Sequence, residues 1–230
     1  ANDRRARIAI VLTDMGLSAA AAEVAIRHLP PEITFAFNPY ANGVAQIVQR
    51  ARTDGHEVLL NLPMEPNGYP TIDPGPQTLL TRLSAKENVE RLDLILAKAS
   101  GYVGVNEHLG TRFSTSAEAM KPVLEALGEH GLMYLDSRDN PRSVGGAMAS
   151  ELRLPRALND RFLDTEPSRE AIDARLAELE QIARESGSAV AIGHPLPVTF
   201  ERLTIWIPTL PSKGIVLAPI TAVANRQSDR

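Results

Sequence analysis

Short apolar runs alternate with longer amphipathic stretches along the whole chain, and this alternation constrains the fold more than any other feature. Runs at Arg7–Leu12, Ile33–Phe37, Glu57–Asn61, Tyr102–Asn106, Leu132–Leu135 and Ala189–Ile192 read as strands, with weaker ones at Arg161–Asp164 and Ile215–Leu217. Helical patterns fill the gaps from about Ser18 to His28, Val44 to Arg52, Ser84 onward, Thr115 to Gly131 and Ser168 to Ser186. Ser84-Ala-Lys-Glu87 and Thr115-Ser-Ala-Glu118 have capping-box spacing, and Gly187 reads as a helix stop. Pro122 predicts a kink or a late start in its helix, and Gly145-Gly146 reads as a turn. Strands apolar on both sides, each followed by a helix, imply a parallel sheet covered on both faces. Seven or eight such units predict an α/β fold: a distorted (β/α)7-8 barrel with mainly parallel strands. It is one domain over residues 1–230 with a core from about 7 to 220. A doubly wound open sheet is the alternative. In both, ligands bind at the carboxyl ends of the strands.

Composition removes several function classes. There is no cysteine, hence no disulfide, no Cys-ligated zinc and no thiol nucleophile. The net charge of -4 is scattered, without the basic footprint of a nucleic-acid binder. The longest apolar runs are far too short to span a bilayer, and the N-terminal stretch does not read as a signal peptide. A single tryptophan, Trp206, argues against a sugar groove paved with indole rings. Gly-x-Ser-x-Gly, P-loop, dinucleotide-binding and His-Glu-x-x-His motifs are absent.

Polar residues follow the strands almost without exception: Thr13 and Asp14, Asn38, Asn61 and Glu65, Asn106 to His108, Asp136 to Asp139, Asp164, and His194. These are proton-transfer groups and metal donors that converge on one mouth if the strands are parallel. The ordinary roles compete: Asp136 or Asp164 as a helix cap, Asn38 and Asn61 as turn residues, His28 and His130 in last helical turns. His108 and His194 differ because each ends a buried strand and precedes Gly or Pro closely. The Pro- and Gly-rich segment 63–76 is long for an idle loop.

The stretches Ile10–Gly16, Thr34–Pro39, His56–Pro66, Gly104–Gly110, Tyr134–Ser137, Phe162–Asp164 and Ala191–Pro195 together resemble the divergent polysaccharide deacetylase family. The resemblance runs in order over nearly the whole chain. It implies a bacterial, extracytoplasmic (periplasmic) hydrolase of a carbohydrate. Such an enzyme removes N-acetyl groups from an amino-sugar polysaccharide with a divalent metal, usually zinc. Under it, Asp14 matches a metal ligand, His108 and His194 match the branch's histidines and could complete the ligand set, and His194 is either that third ligand or the proton donor. Thr13 stands where the superfamily has its carboxylate base, and Asn61 where this branch commonly has a histidine. Asp136 is the preferred substitute base, with Glu107 and Glu65 as alternatives. Asn61, Glu65, Asn106, Glu107, Ser137 and Asp164 are the expected substrate-binding groups. The partner is a polysaccharide or cell-wall glycan, with no nucleic acid and no membrane span; the oligomeric state is not legible. Thr13 and Asn61 also motivate a second reading, a catalytically silent carbohydrate-binding module. A third, a protein-docking scaffold, rests on the 63–76 loop alone.

Overall fold

A computed structural model describes residues 5–227. Nine strands form one sheet: β1 (Ala6–Met15), β2 (Thr34–Phe37), β3 (Val58–Pro63), β4 (Gly104–His108), β5 (Met133–Asp136), β6 (Arg156–Leu158), β7 (Arg161–Phe162), β8 (Ser188–Gly193) and β9 (Ile215–Leu217). Every pairing is parallel, in the order β6-β5-β4-β3-β2-β1-β8-β7, with β9 pairing the start of β1. The two ends of that path, β6 and β7, are adjacent in sequence but do not pair. The sheet is the mainly parallel α/β barrel that the strand pattern predicted, curled into a half-barrel with a seam rather than a closed ring.

Among the described residues, seven α-helices cover the outer face: α1 (Ala19–His28), α2 (Val44–Thr53), α3 (Ala85–Leu96), α4 (Ala117–Glu129), α5 (Gly145–Glu151), α6 (Arg169–Ser186) and α7 (Pro197–Trp206). Local chemistry sets their ends. Ser18, Ser84 and Ser168 each accept a backbone N–H of the first turn, with the full capping box at Ser84 and Glu87. Gly187 closes α6 at φ 81. The cap of α4 is Ser116, one residue later than expected, and Pro122 is accommodated inside the helix. One expectation fails here. Gly145-Gly146 opens α5 instead of making a turn. Its glycines fit because Cβ atoms there would stand 2.5 Å from the Tyr134 hydroxyl and 2.4 Å from Leu158. The short strand β6 and helix α7 carry too little periodicity to be read from sequence.

The period-2 alternation of the strands sorts their side chains between two regions. Ile8, Ile10, Leu12, Phe35, Val58 and Leu60 pack outward against helices. Ala9, Val11, Ala36, Leu59, Leu135, Ala157, Val190 and Ile192 face inward and fill the curl, with Ile220 and Val223 plugging it. At ~25 cal/mol per Å² of apolar surface, each fully buried Ile, Leu or Phe contributes about 1.5–3 kcal/mol, which makes these layers the main stabilising element.

Candidate active site

Continuing the inward rows to the strands' carboxyl ends generates the site. On β1 the row Ala9, Val11 leads to Thr13. On β3, Leu59 leads to Asn61. On β4, Gly104 leads to Asn106 and His108. On β8, Val190 and Ile192 lead to His194. Asp14 joins them because β1 changes register between Leu12 and Met15 and its backbone turns left-handed there, φ 55. A cavity of about 370 Å³ results, lined among others by Thr13, Asp14, Asn106, His108, Asp139 and His194.

Two histidines flank Asp14. His108 Nε2 lies 3.5 Å from Asp14 Oδ1, and His194 Nε2 lies 4.0 Å from Oδ2. His194 Nδ1 donates to Asp164 Oδ1 at 2.8 Å, so Nε2 is the atom turned to the cavity. Asp164 Oδ2 accepts from the His194 backbone N–H and from Thr199 Oγ1, both at 2.7 Å. Burial alone would raise the Asp164 pKa; the hydrogen bonds from His194 and Thr199 outweigh it and hold the carboxyl below its ordinary range. The same Asp164 bond raises His194, whereas burial lowers His108.

Beneath Asp14 lies a neutral hydrogen-bond network. Asn61 Nδ2 donates to Asp14 Oδ1 at 3.2 Å, which turns Asn61 Oδ1 toward Thr13 Oγ1 (3.0 Å) and Asn106 Nδ2 (2.9 Å). Asn106 Nδ2 also donates to Thr13 Oγ1 at 3.3 Å. Thr13 and Asn61 thus satisfy each other and orient Asp14. Among the described residues, no three His, Cys, Asp or Glu side chains are spaced as a ready metal cage. The donor chemistry suits a divalent cation, but the spacing does not fit a three-ligand ion as it stands.

The other expected residues divide. Asn106, Glu107 and Ser137 line the cavity. Asn61 and Asp164 stand behind it, acting through Asp14 and His194. Glu65 is withdrawn: it accepts Thr81 N (2.6 Å) and Thr81 Oγ1 (2.7 Å) and pairs with Arg112 at 3.2 Å, stapling the long loop after β3. Asp136 is withdrawn as well. It shares the outward parity of Tyr134, and it accepts Arg138 N, Ser143 Oγ and Gly146 N, a cap for the start of α5. Glu107, also on an outward position, accepts from Tyr134 Oη at 3.1 Å; burial and then Asp136 push its pKa well up. Besides Asp14, a second carboxylate at the cavity wall is Asp139, whose pKa is raised by burial. Three positions beyond β5, it has no strand parity to betray it in the sequence.

The comparisons with known proteins agree with this architecture. The model of the divergent polysaccharide deacetylases matches residues 10–224. An uncharacterized Haemophilus influenzae protein is 30% identical over 207 residues, 90% of this chain and 73% of that one. The crystal structure of the uncharacterized protein ATU2773 from Agrobacterium tumefaciens is 36% identical and superposes with a TM-score of 0.93, covering 97% of this chain and 91% of that chain. The catalytic domain of a peptidoglycan N-acetylglucosamine deacetylase from Eubacterium rectale shares the fold at 11% identity (TM-score 0.58, covering 99% and 93% of the two chains). The chain belongs to the divergent polysaccharide deacetylase family.

Proposed function

We propose that the chain hydrolyses the acetamido group of an N-acetylated amino-sugar polysaccharide outside the cytoplasm. The observation that carries this reading is the buried Asp164 gripping an exposed His194, whose Nε2 faces Asp14 and His108 across the cavity. Hydrolysis needs a proton removed from water and a proton delivered to the departing amine. Asp139 is placed to take the first. His194, whose pKa is raised by its bond to Asp164, would deliver the second. Water oxygen then bonds the acetyl carbon, the C–N bond breaks, and acetate and a free amine leave. Asn106 and Ser137 are the polar groups positioned to orient the sugar. Metal assistance, with zinc the first choice, is part of the proposal by family. Asp14 and His108 would be the donor pair for the ion, which leaves His194 Nε2 to carry the proton.

The competing reading, a silent glycan-binding module, is favoured by Thr13 at the base position and its commitment to Asn61. The test is acetate release from a panel of N-acetylated glycans, with and without added zinc, nickel, cobalt or manganese. Turnover that disappears in His194→Ala supports hydrolysis. Glycan binding without turnover in wild type, unaffected by His194→Ala, supports the silent module.

A further inference from the structure

The two edges of the half-barrel do not pair, and the seam between them opens as a second cavity of about 570 Å³. Arg138, Asn159, Asp160 and Arg175 help to line it, and Phe162 and Thr165 line both cavities, so the two form one continuous cleft. Buried backbone groups along such a gap need partners that no neighbouring strand supplies. The tail beyond β9 supplies them. Ile220 and Val223 plug the curl, and the chain then reaches β6. Asn225 N donates to Arg156 O at 2.8 Å, and Asn225 Oδ1 accepts Arg156 N at 3.0 Å. Gln227 repeats the pattern with its side chain alone: Oε1 accepts Leu158 N at 2.8 Å, and Nε2 donates to Leu158 O at 2.7 Å.

We infer that Gln227 is a positioning residue for the proposed base: it clamps the turn between β6 and β7, and that turn fixes the exit of β5 that carries Asp139. The catalytic half of this inference rests on the hydrolase reading; the mechanical half does not.

The clamp spans the seam. Gln227 Nε2 also donates to Asp160 Oδ2 at 2.7 Å, and the same oxygen accepts Val190 N of β8 at 2.9 Å. Asp160 N donates back to Val190 O at 2.9 Å. One buried amide therefore ties β6 to β8 across the gap. Only an amide has a donor and an acceptor side by side to meet both backbone groups of Leu158; a carboxylate or a thioether of similar length does not. Asn159, between the gripped residues Leu158 and Asp160, carries the constraint inward. Its N donates to Asp136 O at 2.9 Å, and its Nδ2 donates to Ser137 O at 3.0 Å. Ser137 in turn holds Asp139 at two points: its Oγ accepts the Asp139 backbone N–H at 3.4 Å, and its side chain hydrogen-bonds the Asp139 carboxylate. Asp139 lies beyond the end of β5, so its direction is set by the left-handed turn at Arg138, φ 53. Asn159 anchors the residue immediately before that turn.

The test compares wild type with Gln227→Glu, Asn159→Ala, the double variant and Thr221→Val. Gln227→Glu keeps the length but loses the donor, and sets a carboxylate against Leu158 O and Asp160. Gln227→Met, which loses the bonds without adding charge, replaces it if the carboxylate prevents folding. Thr221→Val loosens the same tail at its anchor on Glu57, away from the seam. Circular dichroism checks folding, and mass-spectrometric hydrogen exchange reads residues 137–140. Acetate release from an N-acetylglucosamine oligomer with zinc present gives kcat and KM. Gln227→Glu should speed exchange at 137–140 roughly tenfold or more. It should lower kcat roughly 10- to 100-fold with KM within about twofold, as when a reacting group is misplaced by about 1 Å. Asn159→Ala should do the same, and the double variant should be no worse than the poorer single one, because both break one path. Thr221→Val should move neither readout by more than about twofold. Unchanged exchange at 137–140 in Gln227→Glu, additive losses in the double variant, or an equal loss in Thr221→Val overturns the inference. Wild-type turnover that Gln227→Glu leaves intact overturns the positioning role and sustains the hydrolase reading. With no acetate released by wild type, exchange alone decides: faster exchange at the β5 exit sustains the clamp and rejects the hydrolase reading.

Discussion

Asp164 holds His194 at two points, accepting the ring Nδ1–H at 2.8 Å through Oδ1 and the backbone N–H at 2.7 Å through Oδ2. Ring orientation and loop position are therefore set by one carboxylate whose side chain is fully buried, while the histidine is 41% exposed. Asp164→Asn keeps the shape but removes the negative charge that fixes the tautomer. Activity should fall about 10- to 100-fold, the scale typical of lost orienting partners. Stability should fall by about 1–3 kcal/mol as a charge-assisted buried acceptor is lost. Acetate-release kinetics and urea denaturation read the two effects separately; unchanged turnover would remove His194 from the mechanism.

Metal content can be measured directly. Protein purified without chelators and then offered zinc should carry about one ion per chain only if His108 and His194 close in on Asp14 beyond their present 3.5 and 4.0 Å, and Asp14→Ala should lose it. Elemental analysis decides. Stoichiometric metal retained in Asp14→Ala would place the ion elsewhere, and none in wild type would argue for the silent module.

Thr13→Asp asks whether a carboxylate restores the family pattern. A carboxylate oxygen in place of the Thr13 hydroxyl faces Asn61 Oδ1, an acceptor against an acceptor. Asn61 must then flip and withdraw its N–H from Asp14. The variant should lose about 1–3 kcal/mol of stability by denaturant titration and gain no activity. A faster enzyme would mean that the network tolerates the flip.

Glu180 predicts the acid limb of stability. Burial alone would raise its pKa, but hydrogen bonds from Lys213, Trp206 and Arg184 prevail and hold it below its ordinary range. A carboxyl depressed in the folded state stabilises the protein above its unfolded pKa, and loses that contribution as pH falls through its folded pKa. Glu180→Gln should cost about 1–3 kcal/mol near neutral pH. It should cost progressively less below about pH 4.3. Urea midpoints at pH 7 and pH 3 give the comparison, and an equal loss at both pH values would refute the assignment.

Glu65→Gln should act on the loop rather than on catalysis. Its carboxylate joins Thr81 and Arg112, and its backbone joins Leu79 and Phe113. Faster proteolysis between residues 66 and 80, with the catalytic constant within about twofold, is expected if the staple is local. A large loss of turnover instead would return Glu65 to the site.

The fold was legible because strand hydrophobicity and serine caps are local signals. The mouth was legible as a set: Thr13, Asn106, His108 and His194 follow inward rows, and Asp14 joins them through the register change after Leu12. The errors came from treating every strand-end carboxylate alike. Parity separates them, because Tyr134 and Asp136 share one face of β5 while Leu135 and Ser137 share the other. Asp136 could therefore have been assigned to helix capping from its position alone. Asp139 could not, since its direction depends on the left-handed turn at Arg138, φ 53. The seam was illegible for a similar reason: β6 and β7 are three and two residues long, too short for any pattern.

Left-handed backbone at Asp14, Leu109 and Arg138, the exits of β1, β4 and β5, sets a limit on how this protein can be improved. Each of these non-glycine residues holds a conformation that typically costs about 1 kcal/mol or more, while its side chain belongs to one of the two cavities. A library sorted only for heat resistance would drift toward glycine or asparagine there and strip the cleft of its furniture. A library sorted for turnover would keep the strained residues and seek its robustness in the helices. The two campaigns should part company at these three codons first.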